Sequence, residues 1–191
     1  MANERKQQII RAAVKRFARH GPGKTTLEEI ARDIRIGKAT IYHYFESKDE
    51  LFFESLKWET DQFIEDIKAI FNNEELAVGA RLLEYISYKE NIDTRYKLLF
   101  DLILQLVEDD SFEKEKEIMK NMLIREEEIV KLVLSSIYSS RLEGMNEFLP
   151  NFIVTSSWGG FFGNKINHIS HPDRVLNTKE FVFKSLENIL S

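Results

Sequence analysis

Residues Thr25–Phe52 read TTLEEIARDIRIGKATIYHYFESKDELF, and their punctuation sets the architecture of the first part of the chain. Thr26 lies three residues before Glu29, the spacing at which a hydroxyl and a carboxylate satisfy each other's backbone donors at a helix start. A short helix is expected from Leu27 to Ile34. Arg35-Ile36-Gly37 makes a tight break, and Lys38 to Phe45 forms a second short helical run with Ile41 and Phe45 on one face. Ser47, three residues before Glu50, opens a third helix that runs long, through Trp58, Ile67 and Ile70.

Immediately upstream, ARHGPGKTT (Ala18 to Thr26) has the loose form of a phosphate-binding loop. Such a loop needs a buried strand to deliver the chain to its glycine-rich turn. Here Ile9, Ala13 and Phe17 recur every four residues with Ile10 and Val14 beside them, so residues 4–19 read as an amphipathic helix. KLLFD, Lys97 to Asp101, resembles a magnesium-holding acidic strand, but it too lies in a helical run. A P-loop nucleotide hydrolase is therefore the alternative set aside. Lys24 and Thr25 belong to an interhelical turn, Lys24 being either a phosphate contact or solvated.

Further along, helices are expected near residues 75–90, 94–108, 112–140, 150–168 and 178–190, the last capped by Asn177 with Glu180. Alternating β-branched runs bounded by turns are missing, so the fold class is all-α. A chain of 191 residues, 43% of them hydrophobic, can bury one large core or two modest ones. It has no cysteine, which excludes disulfides and thiolate metal sites. Nothing at the N-terminus reads as a secretory signal, and the apolar run Leu98 to Val107 is half a membrane span, so a cytoplasmic protein without a membrane partner is expected.

Charge is divided unevenly. Residues 1–48 hold 11 Lys and Arg against 5 Asp and Glu, a net of +6, and the remainder carries −11. A basic head on an acidic body points to a polyanionic partner for the head. A helical module binding some other partner through that head is the second alternative.

A long helix followed by two short ones across a three-residue break is a helix-turn-helix arrangement, whose second short helix enters the major groove of DNA. The stretch closely resembles the DNA-binding signature of the TetR (tetracycline-repressor) family. The matching pieces are Thr25-Thr26, Ile30-Ala31, Lys38-Ala39-Thr40-Ile41-Tyr42-His43-Tyr44-Phe45, and Lys48 with Leu51. Ala31 is small enough for close helix approach, and Ile30, Ile41 and Phe45 form a miniature core. Lys38, Thr40, Tyr42 and His43 then face elsewhere and can meet DNA. Lys48, Thr25 and Thr26 lie at helix N-termini, where phosphate is favoured. The resemblance implies DNA contacts at these positions and at Ala39. It also implies a helix-turn-helix domain over 1–48, a ligand-binding and dimerisation domain over 49–191, and a homodimer on a near-palindromic operator, released by a small molecule. One departure stands out: the family usually places glycine where Arg35 stands, and often serine where Gly37 stands. Either Arg35 takes a left-handed backbone, or the turn shifts and Gly37 takes it.

The body is rich in aromatic side chains, which makes an apolar organic effector the expectation, with Trp58, Phe63, Tyr85, Phe100 and Trp158 as candidate walls. Lys97, Asp101, Gln105 and Glu108 form one polar stripe, read as a solvated face; turned inward, Asp101 and Gln105 would anchor a ligand. The clusters Glu113–Lys120 and Glu126–Glu128 read as solvated helix surface. Gly159 and Gly163 share a helix face that permits a dimer contact or a pocket wall, or else they mark a helix break. Val182, Leu186 and Ile189 have the helical spacing of a dimer face. His168 and His171 flank Ile169-Ser170 beside Pro172 in an expected loop, with Asp173 the nearest carboxylate, so neither a metal site nor a cofactor is expected.

Overall fold

The computed structural model describes residues 2–108, 111–135, 148–170 and 184, of which residues 2, 107, 108 and 164–170 are described by backbone alone. Among them the regular structure is entirely helical: α1 (Ala2–His20), α2 (Leu27–Asp33), α3 (Lys38–Tyr44), α4 (Lys48–Phe71), α5 (Val78–Lys89), α6 (Ile92–Arg95), α7 (Lys97–Glu108), α8 (Glu113–Ser135) and α9 (Phe148–Ser170). The short α6 is an addition to the expected series. Apart from residue 184, the expected helix over 178–190 lies outside the described residues, with its Asn177–Glu180 cap, Val182, Leu186 and Ile189, as do 136–140, His171, Pro172 and Asp173. None of the helices among the described residues is long and apolar enough to cross a membrane.

The chain packs as two compact units. The first comprises residues up to Phe63 together with Asp93–Met119; the second comprises Ile64–Ile92 and the described residues from Lys120 onward. In the first unit, Ile9, Ala13 and Phe17 of α1 are fully buried, as the four-residue spacing requires, and Ile30, Ile41 and Phe45 close over them. That same core takes in Leu51 and Leu56 of α4, Leu98 and Leu102 of α7, and Ile118 of α8. Each such side chain contributes about 1.5–3 kcal/mol by leaving water.

Local chemistry ends and begins the helices. Gly21, at φ 76°, closes α1 by donating its N–H to the Phe17 carbonyl at 2.8 Å. Thr26 and Glu29 form the expected reciprocal cap: Thr26 Oγ1 accepts the Glu29 N–H at 3.3 Å and Glu29 Oε2 accepts the Thr26 N–H at 2.9 Å. At the other end of α2 the Arg35 N–H reaches Arg32 O at 3.2 Å and the Ile36 N–H reaches Ala31 O at 3.0 Å. This pair of bonds is the helix-ending motif that demands a left-handed residue, and Arg35 supplies it at φ 55°. Gly37 stays extended at φ −75° as the N-cap of α3. Of the two conformations open to the turn, the strained arginine is the one adopted.

Candidate functional site

Three ties fix the geometry of the first helices. Arg16 of α1 grips Asp33 of α2 with two hydrogen bonds, of 2.6 and 2.9 Å, and lies 3.4 Å from Glu29. Those bonds hold the Asp33 carboxyl below its usual range. Lys48 Nζ, at the start of α4, donates to the Pro22 carbonyl at 2.8 Å and braces the α1–α2 turn. Ser47 Oγ caps α4 by accepting the Glu50 N–H at 3.0 Å.

With Ile41 and Phe45 directed inward, α3 presents the opposite face to solvent. Lys38, Ala39, Tyr42 and His43 are exposed and Thr40 is half-buried. Tyr42 is 51% exposed, which no packing need explains, and the Lys38 ammonium sits 5.9 Å from its ring centroid, one turn away. The His43 ring stands edge-on to Tyr44 at 5.1 Å, and Tyr44 is half-buried. Thr26 and Lys24, in and beside the α1–α2 turn, are also exposed. Thr25 differs from the expected phosphate contact. It is buried, and its hydroxyl donates to the Gly21 carbonyl at 2.9 Å, so it shapes the turn from within.

The five candidate wall residues separate. Phe63 is buried in the first unit with its ring edge-on to Tyr96 at 5.8 Å, and Trp58 packs against that unit's core. Phe100 is half-buried on α7, 6.0 Å from the Lys97 ammonium. Lys97 pairs with Asp101, both side chains roughly half exposed, as a solvated stripe should be. Tyr85 and Trp158 meet in the second unit, around a group that the sequence pattern assigns to the surface. Glu126, expected to be solvated, is fully buried there. Its Oε1 accepts the Tyr85 hydroxyl at 2.5 Å and its Oε2 accepts the Trp158 indole N–H at 3.0 Å. Lys89, equally buried, forms an ion pair with Glu126 and donates to Ser157 Oγ at 2.8 Å. Burial drives the Lys89 ammonium down to about 8, against the pull of Glu126, and drives the Tyr85 hydroxyl well up.

The signal for Glu126 was in the row Ile118, Met122, Glu126, Val130, Leu134, where every other member is apolar and buried. Lys89 likewise continues the buried row Leu82, Tyr85, Ile86 on α5. Glu59 interrupts a similar row on α4, Leu51, Ser55, Phe63, Ile67 and Phe71, all buried; it accepts the Leu99 N–H at 2.7 Å, at the start of α7.

The glycines of α9 do not break it, since the helix continues to Ser170, and His168 therefore stands on a helix and not in a loop. A Cβ at Gly159 or Gly163 would meet nothing within 4 Å, so no close approach among the described residues explains either.

A chain whose described elements are all helices, and whose exposed second short helix is braced by two neighbours and carries basic and hydroxyl side chains, has the architecture of a helix-turn-helix DNA-binding regulator. Comparison agrees. Residues 9–54 match the family model of bacterial regulatory proteins, tetR family. The HTH-type transcriptional regulator HbdR of Aromatoleum sp. (strain CIB) is 39% identical over 67 residues, 35% of this chain and 29% of HbdR. The chain thus matches under a third of that relative's length. Among solved structures, E. coli NemR in its reduced form superposes with a TM-score of 0.72 at 17% identity, covering 97% of each chain. FadR from Bacillus subtilis in complex with stearoyl-CoA gives 0.63 at 19% identity, again over 97% of each. The likeness to the tetR family of bacterial regulatory proteins is thus carried by residues 9–54.

Proposed function

We propose that the chain is a cytoplasmic DNA-binding transcriptional regulator, a repressor that leaves a near-palindromic operator when a small molecule binds. The carrying observation is the outer face of α3, where Lys38, Ala39, Tyr42 and His43 are exposed while Ile41 and Phe45 anchor the helix from behind. In this reading those four and Thr40 meet the major groove, and Thr26 and Lys48 meet phosphates. Thr25 acts through the turn it holds. Residues 1–48 form the head and residues 49–191 the effector and dimerisation body.

Dimerisation follows from the operator's symmetry, since two heads must reach grooves about 34–36 Å apart. On α9, Phe148, Phe152, Thr155, Gly159 and Gly163 lie exposed at helical spacing on one face, which suits a second copy. A small-molecule effector is supported by FadR, a protein of the same fold solved with stearoyl-CoA. The nucleotide-hydrolase alternative lacks its strand, because α1 occupies that place. The reading is of a regulator and not of an enzyme.

The test is fluorescence anisotropy on duplexes selected from a randomised pool. Tyr42→Phe and Lys48→Ala should weaken binding with folding retained. Lys48→Ala should also flatten the log-affinity against log-salt slope by about one unit for each phosphate it no longer neutralises. Unchanged affinity in both variants would remove the assignment of this face to DNA.

A further inference from the structure

The second unit holds its one buried ion pair, among the described residues, inside a box of aromatic rings. The Lys89 ammonium lies 4.3 Å from the Trp158 ring centroid and 4.7 Å from that of Tyr85, with Ser157 Oγ at 2.8 Å and Glu126 as its counter-ion. A point faced by a carboxylate and by the rings of a tryptophan and a tyrosine is the chemistry that recognises organic cations. Here the chain's own lysine fills it.

The members of this box are unequally fixed. Glu126 stands in the middle of α8 and is held on both oxygens, by the Tyr85 hydroxyl at 2.5 Å and the Trp158 indole at 3.0 Å. Ser157 is tied to its own helix by donating to the Val154 carbonyl at 2.7 Å. Lys89, by contrast, is the last residue of α5 and reaches in on a flexible four-carbon stem. If it leaves, the carboxylate and both rings keep their mutual bonds, and the ammonium can settle near the α5 C-terminal carbonyls, where cations are favoured.

Charge decides what can take its place. A neutral or anionic ligand that displaced Lys89 would strand the Glu126 carboxylate, buried and unpaired, which is strongly unfavourable. A cation exchanges like for like. An ammonium bearing hydrogens also reproduces the bonds to Glu126 and Ser157. Its apolar remainder would find Phe71, whose ring lies 5.1 Å from that of Tyr85.

We propose that Glu126, Tyr85, Trp158 and Ser157 are the effector cage of this chain, occupied by Lys89 at rest, and that the effector is a lipophilic ammonium compound whose nitrogen replaces that of Lys89. The proposal rests on the reading of the chain as an effector-released regulator. Its test uses the full chain with Trp58→Phe, which leaves Trp158 as the sole tryptophan reporter. Octylammonium should change the Trp158 emission saturably, with octanoate and octanol at least tenfold weaker. Lys89→Met, which removes the competing cation, should tighten octylammonium binding about tenfold or more. Adding Glu126→Gln to it should abolish that binding. If Lys89→Met folds poorly, octylammonium and not octanol should restore its melting temperature. A wild-type chain indifferent to octylammonium, or preferring octanoate, would overturn the cage, and so would a Lys89→Met variant that bound the amine more weakly. An amine that bound without lowering operator affinity would overturn the effector role. Failure of the unliganded chain to bind any operator would instead refute the regulator reading, with the emission titration unaffected.

Discussion

Replacing Glu59 with glutamine should remove a pH dependence of stability that has an unusual sign for a carboxylate. Glu59 is 3% exposed, and burial pushes its carboxyl from 4.5 up to about 7 despite the N–H groups of Leu99 and Leu98, with Asp101 adding to the rise. Between those two values the folded chain holds a proton that the unfolded chain has released. The stability contributed by Glu59 is therefore full below about pH 4.5 and is lost as pH rises through 7. A span of about 2.5 units at 1.36 kcal/mol each gives a ceiling of about 3 kcal/mol. Glu59→Gln keeps an oxygen to accept the Leu99 N–H at the same place but carries no charge at any pH. Urea unfolding at fixed protein concentration, from pH 5 to pH 8, should show the variant gaining on the wild type by up to about 3 kcal/mol toward the alkaline end. Parallel curves would refute the reasoning. They would mean that the carboxylate is already ionised at pH 5, held so by the backbone donors at the start of α7.

Three further substitutions test separate features of the chain. Arg35→Gly should raise stability by about 1 kcal/mol, seen as a higher urea midpoint at unchanged slope, because only the arginine is strained at φ 55°. Thr26→Ala should lower stability by about 1 kcal/mol in a thermal or urea melt, since it deletes the hydroxyl that accepts the Glu29 N–H. Phe152→Glu, on the exposed face of α9, should shift sedimentation from dimer toward monomer and weaken operator binding with it; a dimer of unchanged stability would place the interface elsewhere.

The helices of the head were legible because their signals are local. A capping pair three residues apart, a four-residue apolar period and a glycine after His20 each act within one turn of the chain, and each stands in the structure where the spacing put it. The α2–α3 turn was half legible. Its place followed from the break at Arg35-Ile36-Gly37, but its conformation depended on whether two hydrogen bonds back to Arg32 and Ala31 outweigh the strain of an arginine at φ 55°, and composition does not weigh that. Thr25 was misread for a related reason. A threonine before a helix can cap it, bind an anion or turn inward, and the inward choice was fixed by the Gly21 carbonyl four residues earlier.

In the body, sequence patterns misled where two helices had to be considered together. Glu126 precedes Glu127 and Glu128, and a run of three acids reads as solvated surface. Its true environment is set by the row it interrupts, Ile118, Met122, Val130 and Leu134, which is buried throughout. An acid in such a row is tolerable only if another helix brings an opposite charge and further donors, because a lone buried carboxylate cannot be sustained. The α5 row Leu82, Tyr85, Ile86 and Lys89 has the complementary interruption, a cation where an apolar residue would be expected. Neither interruption alone says anything, since either side chain could reach solvent. Taken together they satisfy one another, and the tyrosine hydroxyl between them supplies the additional donor that a buried carboxylate requires. The physical content of the cluster is thus a pairwise property, written across two helices well separated in the chain, and a reading that takes each helix by its own amphipathic pattern passes over it.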